Sequence, residues 1–157
     1  KQGMQHSRTI AVSCFLILGA CGGQTPLPAR PLPSGSAALV LAVRGLHGPG
    51  GTLFASLHDR ADAFPGATPL SGGQRLVPVT GADAEVRFEN VAPGRYAVSL
   101  FHDQNGNGRL DSNWVGAPTE GYGASRNALP ALGAPTFEEN AIVVTGVTPV
   151  VVEMHYR

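Results

Sequence analysis

The chain has 157 residues, 11 basic against 11 acidic, and so no net charge at pH 7 with its histidines neutral. Such a charge balance lacks the basic stripe that a phosphate backbone requires, which argues against a nucleic-acid partner. Two cysteines exclude a disulfide framework of the kind that staples small secreted domains, while 21 glycines and 13 prolines point to frequent turns rather than long helices.

The opening KQGMQHSRTIAVSCFLILGACGGQ starts basic at Lys1 and Arg8, runs apolar from Ile10 to Leu18 and turns to small residues before Cys21. That order is the layout of a secretory signal. The apolar run is too short for a membrane-crossing helix, which needs roughly 20 apolar residues. Leu18-Gly19-Ala20-Cys21 resembles the lipobox of bacterial lipoproteins, which implies a signal peptide over residues 1–20, cleavage before Cys21 and lipid on that cysteine. An ordinary signal peptide with an incidental Cys21 is the plainer alternative. Buried methylenes contribute about 0.8 kcal/mol each, so a multiply acylated Cys21 would anchor the protein stably on a membrane. Gly22 after the cysteine resembles the pattern that directs lipoproteins to the periplasmic face of the outer membrane. Cys14 falls within the segment to be removed, so no cysteine-ligated zinc site remains. The mature part would hold 9 arginines against 11 acids and no lysine, a net charge of about −2.

Residues 21–36 contain prolines at 26, 28, 31 and 33 and no apolar periodicity, the composition of a tether. A polyproline-like course at about 3.1 Å per residue would extend it some 40 to 45 Å. Residues 37–157 then form one domain, long enough to bury a core without staples.

That domain reads as all-β. Leu39, Leu41 and Val43 alternate with smaller residues before the turn HGPGG, and Leu53, Ala55 and Leu57 alternate after it, which predicts two strands joined as a hairpin. RLVPVT predicts an edge strand, because Pro78 removes a ladder donor. VRF at 86–88 leads through NVAPG into RYAVSLF, with Tyr96, Val98 and Leu100 on one face and Ala97, Ser99 and Phe101 on the other. AIVVTG and PVVVEMHY predict a terminal pair turning at Gly146. About seven short strands without helical periodicity predict an antiparallel two-sheet β-sandwich.

Between the fifth and sixth of these strands stretches a long segment rich in Gly, Pro and Ala, with Trp114, Tyr122 and Phe137 as its expected packing anchors. LAVRGLHGPGGTLFASLHD, AFPG, FENVAPGRYAVSLFHDQNGNGRLDSNWVGAPTEGYGASRNA and GAPTFEENAIVV follow one another across residues 39 to 156. In that order they resemble a bacterial family of exported domains, the domain-of-unknown-function 2141 family. The HDxNGNGxLD and GxPxEGYGxSxNA segments carry the likeness, from which the chain departs at Ala124 and Arg126. The resemblance implies an exported Ig-like or transthyretin-like sandwich and no particular reaction.

HDQNGNGRLDSN has the oxygen spacing of a calcium loop. Counting Asp103 as position one, Asn105, Asn107, the Arg109 carbonyl and Asp111 fall at three, five, seven and nine, with Gly108 at the sharp sixth position. The twelfth position is Trp114, where a helix-loop-helix site has a bidentate glutamate, so the remaining ligand must come from elsewhere. Glu120 is the nearest carboxylate downstream. A weak structural Ca²⁺ site with an affinity on the order of 10⁻⁴ to 10⁻³ M is one reading. A metal-free turn is the other, since Asn-Gly occurs twice and Asp103 and Asp111 can bond neighbouring backbone.

No GxSxG, HExxH, P-loop or GxGxxG pattern is present, and His47, His58, His102 and His155 are scattered. His102 beside the two aspartates, with Ser125 as a nucleophile, is the residual hydrolase reading. The expectation is therefore noncatalytic: a lipid-anchored structural or interaction module contacting an envelope protein. A carbohydrate- or small-ligand-binding domain is the alternative, with Trp114 and Tyr122 as its aromatic platform.

Overall fold

The computed structural model describes residues 36–66 and 69–157. The expected signal peptide at 1–20, the lipid-bearing Cys21 and the tether as far as residue 35 lie outside the described residues. Eight strands and one helical turn follow in the order β1 (Ala37–Arg44), β2 (Thr52–His58), β3 (Gln74–Pro78), β4 (Ala84–Val91), β5 (Gly94–Asp103), β6 (Gly121–Ala124), α1 (Phe137–Asn140), β7 (Ile142–Val144) and β8 (Val147–Glu153).

Alternation along these strands builds two sheets around one core. Leu39, Leu41 and Val43 of β1, Leu53, Ala55 and Leu57 of β2, and Val98 and Leu100 of β5 are all buried in a single cluster with Val86, Phe88, Val144 and Val152. Full burial of a Leu, Val or Phe side chain stabilises by about 1.5–3 kcal/mol, so this two-sided seam is the main driving force of the fold. One sheet has the order β4-β1-β8, and the other β3-β2-β5-β6, with β7 paired to the beginning of β5. The all-β sandwich expected from the sequence is what forms.

Strand partners differ from the local expectation in two places. β1 and β2 are not a hairpin: β1 pairs with β4 and β8, whereas β2 pairs with β3 and β5. The connection between them sends Leu46 into the core, with its N–H bonded to the Ala82 carbonyl at 2.8 Å, and so carries the chain from one sheet to the other. The last two strands do not pair with each other either. β7 joins β5 antiparallel and β8 joins β1 in parallel, which places Val144 and Val152 on the same core from opposite sheets. The parallel β1–β8 ladder makes the sandwich mixed rather than wholly antiparallel. β3 does occupy an edge, and Pro78 ends it opposite Thr52, where a missing N–H costs no central ladder bond.

The long Gly/Pro/Ala segment is not wholly a loop. It contributes β6, a strand beyond the seven expected, and α1, capped by Thr136, whose hydroxyl accepts the Glu139 N–H at 3.4 Å. Phe137 packs with Phe64, Ala97 and Ala124 in a second, smaller cluster, as a packing anchor should. Trp114 does not: it is 96% exposed, and Tyr122 is half-buried on the outer face of β6.

Candidate functional site

The Asn/Asp loop leaves β5 at its last residue and closes on itself. Asp103 Oδ1 accepts the N–H groups of Gly106 at 2.7 Å and Asn107 at 3.1 Å, and its Oδ2 accepts that of Gly108 at 2.8 Å. Asn105 and Asn107 each turn their Oδ1 back to the N–H two residues on, at 3.0 Å, the pattern by which Asx side chains stand in for backbone in tight turns. Their Nδ2 groups converge on Asp111 Oδ2 at 2.6 and 2.8 Å. Gly106 and Gly108 have φ of 78° and 76°, the left-handed conformation that explains why each asparagine is followed by glycine.

Glu120, brought back by β6, spans the neck of the loop. Its Oε1 accepts the Gln104 N–H at 2.9 Å and its Oε2 the Asp111 N–H at 3.1 Å, tying the two ends together. Asp103 and Glu120 are 2% and 5% exposed. Burial alone would raise the Asp103 carboxyl, yet the N–H groups of Gly108, Gly106, Asn107 and Asn105 outweigh it and hold the group below its usual range. The Arg109 guanidinium approaches Asp111 at 3.7 Å from an exposed position. Among the described residues no three His, Cys, Asp or Glu side chains group closely enough to hold a metal by themselves, so a calcium ion would have to draw on Asn and carbonyl oxygens as well.

His102 lies fully buried beside the loop, with both ring nitrogens engaged. The Gly50 carbonyl, 2.7 Å from Nε2, can only accept, so Nε2 carries the proton and Nδ1 accepts the Tyr156 hydroxyl at 2.7 Å. Tyr156 in turn accepts the His47 N–H at 3.0 Å and stacks on the His47 ring. Gly121 makes room for this tyrosine: a Cβ there would lie 2.3 Å from its ring. Ser125 is spent likewise, donating to the Asn140 carbonyl at 2.6 Å and accepting the Val98 N–H at 3.0 Å. His102 and Ser125, the pair named for hydrolysis, are thus bonded to separate partners.

The GYGASRN segment has a structural account of the same kind. Asn127, with φ of 58°, accepts the Glu153 N–H at 2.9 Å and donates to the Val151 carbonyl at 3.2 Å, pinning β8. These two loop segments are the ones that carry the family likeness, and the sequence profile of a family described as uncharacterized protein conserved in bacteria (DUF2141) matches residues 41–151. The chain belongs to the DUF2141 family. No curated protein and no solved structure matches it.

The outer face of the larger sheet of this DUF2141 domain carries a groove of about 1020 Å³. Its floor is made by the residues that alternate away from the core: Ser56 of β2, Ser99 and Phe101 of β5, and Tyr122 of β6. Phe101 also stacks on Phe54 at 4.6 Å. One wall is the Asn/Asp loop through Leu110 and Val115, and the other is the segment before α1 through Leu129 and Leu132. On the same outer face, beside the floor and in edge contact with Phe64, His58 is fully buried, with Nε2 3.1 Å from Ser99 Oγ and Nδ1 without a partner among the described residues. Burial lowers its pKa below the ordinary 6.5, against an opposing pull from Asp59. Of the sequence candidates, the structure gathers Asp103, Asn105, Asn107, Arg109, Asp111 and Glu120 into one loop and sets Tyr122 in the groove. It leaves Trp114 exposed and outside the groove lining, although its neighbour Val115 lines the cavity. Sequence reading missed His58, Ser99, Asn127 and Asn140, because each acts through a contact with a distant segment.

Proposed function

We propose that this DUF2141 domain is a noncatalytic interaction module, exported and held at the bacterial envelope by lipid on Cys21. The observation that supports it best is the apolar edge of the groove: Leu132 at 89% and Val115 at 61% exposure line it beside a floor of aromatic and hydroxyl side chains, and Trp114, 96% exposed, adjoins Val115 in sequence. Large apolar groups gathered beside a concavity are the composition of contact surfaces. His102 and Ser125, the groups a hydrolase would need free, are tied into buried hydrogen bonds. A photo-crosslinking residue in place of Trp114 tests the contact surface in cells. Adducts at that position and none at Glu89, on the other sheet, are expected; equal or absent labelling at both would defeat the proposal. Cys21→Ser is expected to move the protein from the membrane fraction to the soluble envelope fraction.

A calcium-stabilised loop is a second reading, favoured by the charge balance. Asp103 and Glu120 are buried carboxylates that form no ion pair among the described residues, leaving an excess of negative charge at one end of the sandwich. Asp103, Asn105, Asn107, Arg109 through its carbonyl, Asp111 and Glu120 would supply the oxygens. A native-only site held at 100 times its dissociation constant adds about 2.7 kcal/mol. The wild-type domain should then melt higher in millimolar Ca²⁺ than in chelator, and Asp103→Ala should not respond. Superimposable wild-type melting curves in the two conditions would rule calcium out.

A further inference from the structure

We infer that the groove on the outer face of the β3-β2-β5-β6 sheet is a binding site for an amphipathic anion, a molecule with an apolar body and one carboxylate head. The inference deepens the interaction-module reading by naming the ligand class, and it rests on that reading only for the groove being a contact surface.

Three observations carry it. Size comes first: about 1020 Å³ lies at the upper end of the range for small-molecule sites. The second is the distribution of charge. The only charged side chains among the described residues lining the groove are Arg109, which pairs with Asp111 at 3.7 Å, and Arg157, which forms no ion pair among the described residues; no Asp or Glu is among the lining residues. Arg157 sits 5.9 Å over the Tyr122 ring and donates to the Ala131 carbonyl at 3.2 Å, which holds its guanidinium at the groove wall. Phe101 and Tyr122 on the floor, with Leu110, Val115, Leu129 and Leu132 on the walls, offer an apolar body its contacts. A guanidinium at such a surface favours a carboxylate, through bidentate charge-assisted bonds, over a neutral or cationic head.

The third observation is the hydroxyl of Ser99. His58 beside it has one nitrogen unpartnered among the described residues, and an unpaired acceptor is easier to bury than an unpaired N–H. The proton therefore sits on Nε2 and is donated to Ser99 Oγ. This occupies the serine oxygen as an acceptor and leaves its O–H free to donate into the groove, a second donor matched to an oxygen-bearing head.

The test uses the mature chain and three ten-carbon probes below their micellar concentrations: decanoate, decanol and decyltrimethylammonium. Binding is followed by titration calorimetry and by the emission of Trp114, the single tryptophan of the chain, next to a groove residue. Decanoate should bind about tenfold or more tightly than either other probe, the equivalent of one charge-assisted contact. Arg109→Gln with Arg157→Gln should reduce decanoate to the level of decanol while leaving decanol unchanged. Ser99→Trp, which fills the floor, should weaken all three; if that variant fails to fold, Tyr122→Ala, which removes an aromatic contact from the floor, should likewise weaken all three. Equal affinity for the three heads, or decanoate binding indifferent to both arginines, would overturn the proposal. Absence of decanoate binding alongside specific crosslinking at position 114 would overturn the ligand class alone and leave the interaction module standing.

Discussion

Replacing Glu120 by alanine removes one side chain and two hydrogen bonds, and it should open the Asn/Asp loop at its neck. The carboxylate accepts the Gln104 and Asp111 N–H groups, 16 and 9 residues away in sequence. Hydrogen bonds to a charged group contribute about 1.5–3 kcal/mol each. Gln104 is exposed and Asp111 only half-buried, so water can replace part of both, and the sum discounted for this is about 2–4 kcal/mol. That is a large share of the roughly 5–15 kcal/mol that holds a domain together. For a domain of about 120 residues it corresponds to a fall in Tm of about 6–16 °C. Thermal denaturation followed by circular dichroism at pH 7 measures it, and amide hydrogen exchange should show the Gln104 and Asp111 protons released. Glu120→Gln keeps one acceptor oxygen without the charge and should lose about half as much. A Glu120→Ala domain melting within about 2 °C of wild type, with those amides still protected, would refute the clamp.

Other perturbations have equally definite outcomes. Gly121→Ala puts a methyl group 2.3 Å from the Tyr156 ring, which its bonds to His102 and His47 keep from moving aside; a loss of about 1–3 kcal/mol in denaturant unfolding is expected. Asn127→Ala leaves the Glu153 N–H without its acceptor and frees β8, so faster amide exchange at Glu153 should accompany a loss of about 1 kcal/mol. His58 titrates below its unfolded value of 6.5, so between the two the unfolded chain binds the extra proton. Stability should therefore fall as pH drops below 6.5, and His58→Phe should flatten that slope; a slope unchanged by the substitution would place its origin elsewhere. Asp103 is depressed in the same sense, so its contribution is present above the ordinary carboxylate range and is lost as pH falls through the lower folded value. Asp103→Asn should accordingly narrow the difference in stability between pH 5 and more acidic solution.

Strands and their buried faces were legible in the sequence, because a period of two is a local property. Leu39, Leu41 and Val43, or Tyr96, Val98 and Leu100, point to one side whatever the strand pairs with, and burial followed from that alternation. The twin Asn-Gly steps announced a tight turn for the same reason, since the left-handed backbone of Gly106 and Gly108 is a demand each residue makes on its own. Glu120 could be named from its position as the nearest downstream carboxylate. What it bonds could not, because β6 carries it back to the neck from 16 residues away.

Partner choice was a tertiary decision. The ends of β1 and β2, and of β7 and β8, read as hairpins in sequence, but each connection crosses between sheets, since both strands of each pair have an apolar face and the sandwich buries more by opposing those faces than by aligning them. Trp114 shows the limit most plainly: an aromatic side chain in a long loop suggests an anchor, yet Trp114 sits in a tight turn closed by Asn113, whose Oδ1 accepts the Val115 and Ala117 N–H groups, and is left exposed. The groove belongs wholly to the tertiary level. Its floor comes from three strands and its walls from two loops, so neither its arginine-only charge nor the contact of Ser99 with His58 exists until segments 40 and more residues apart are packed together.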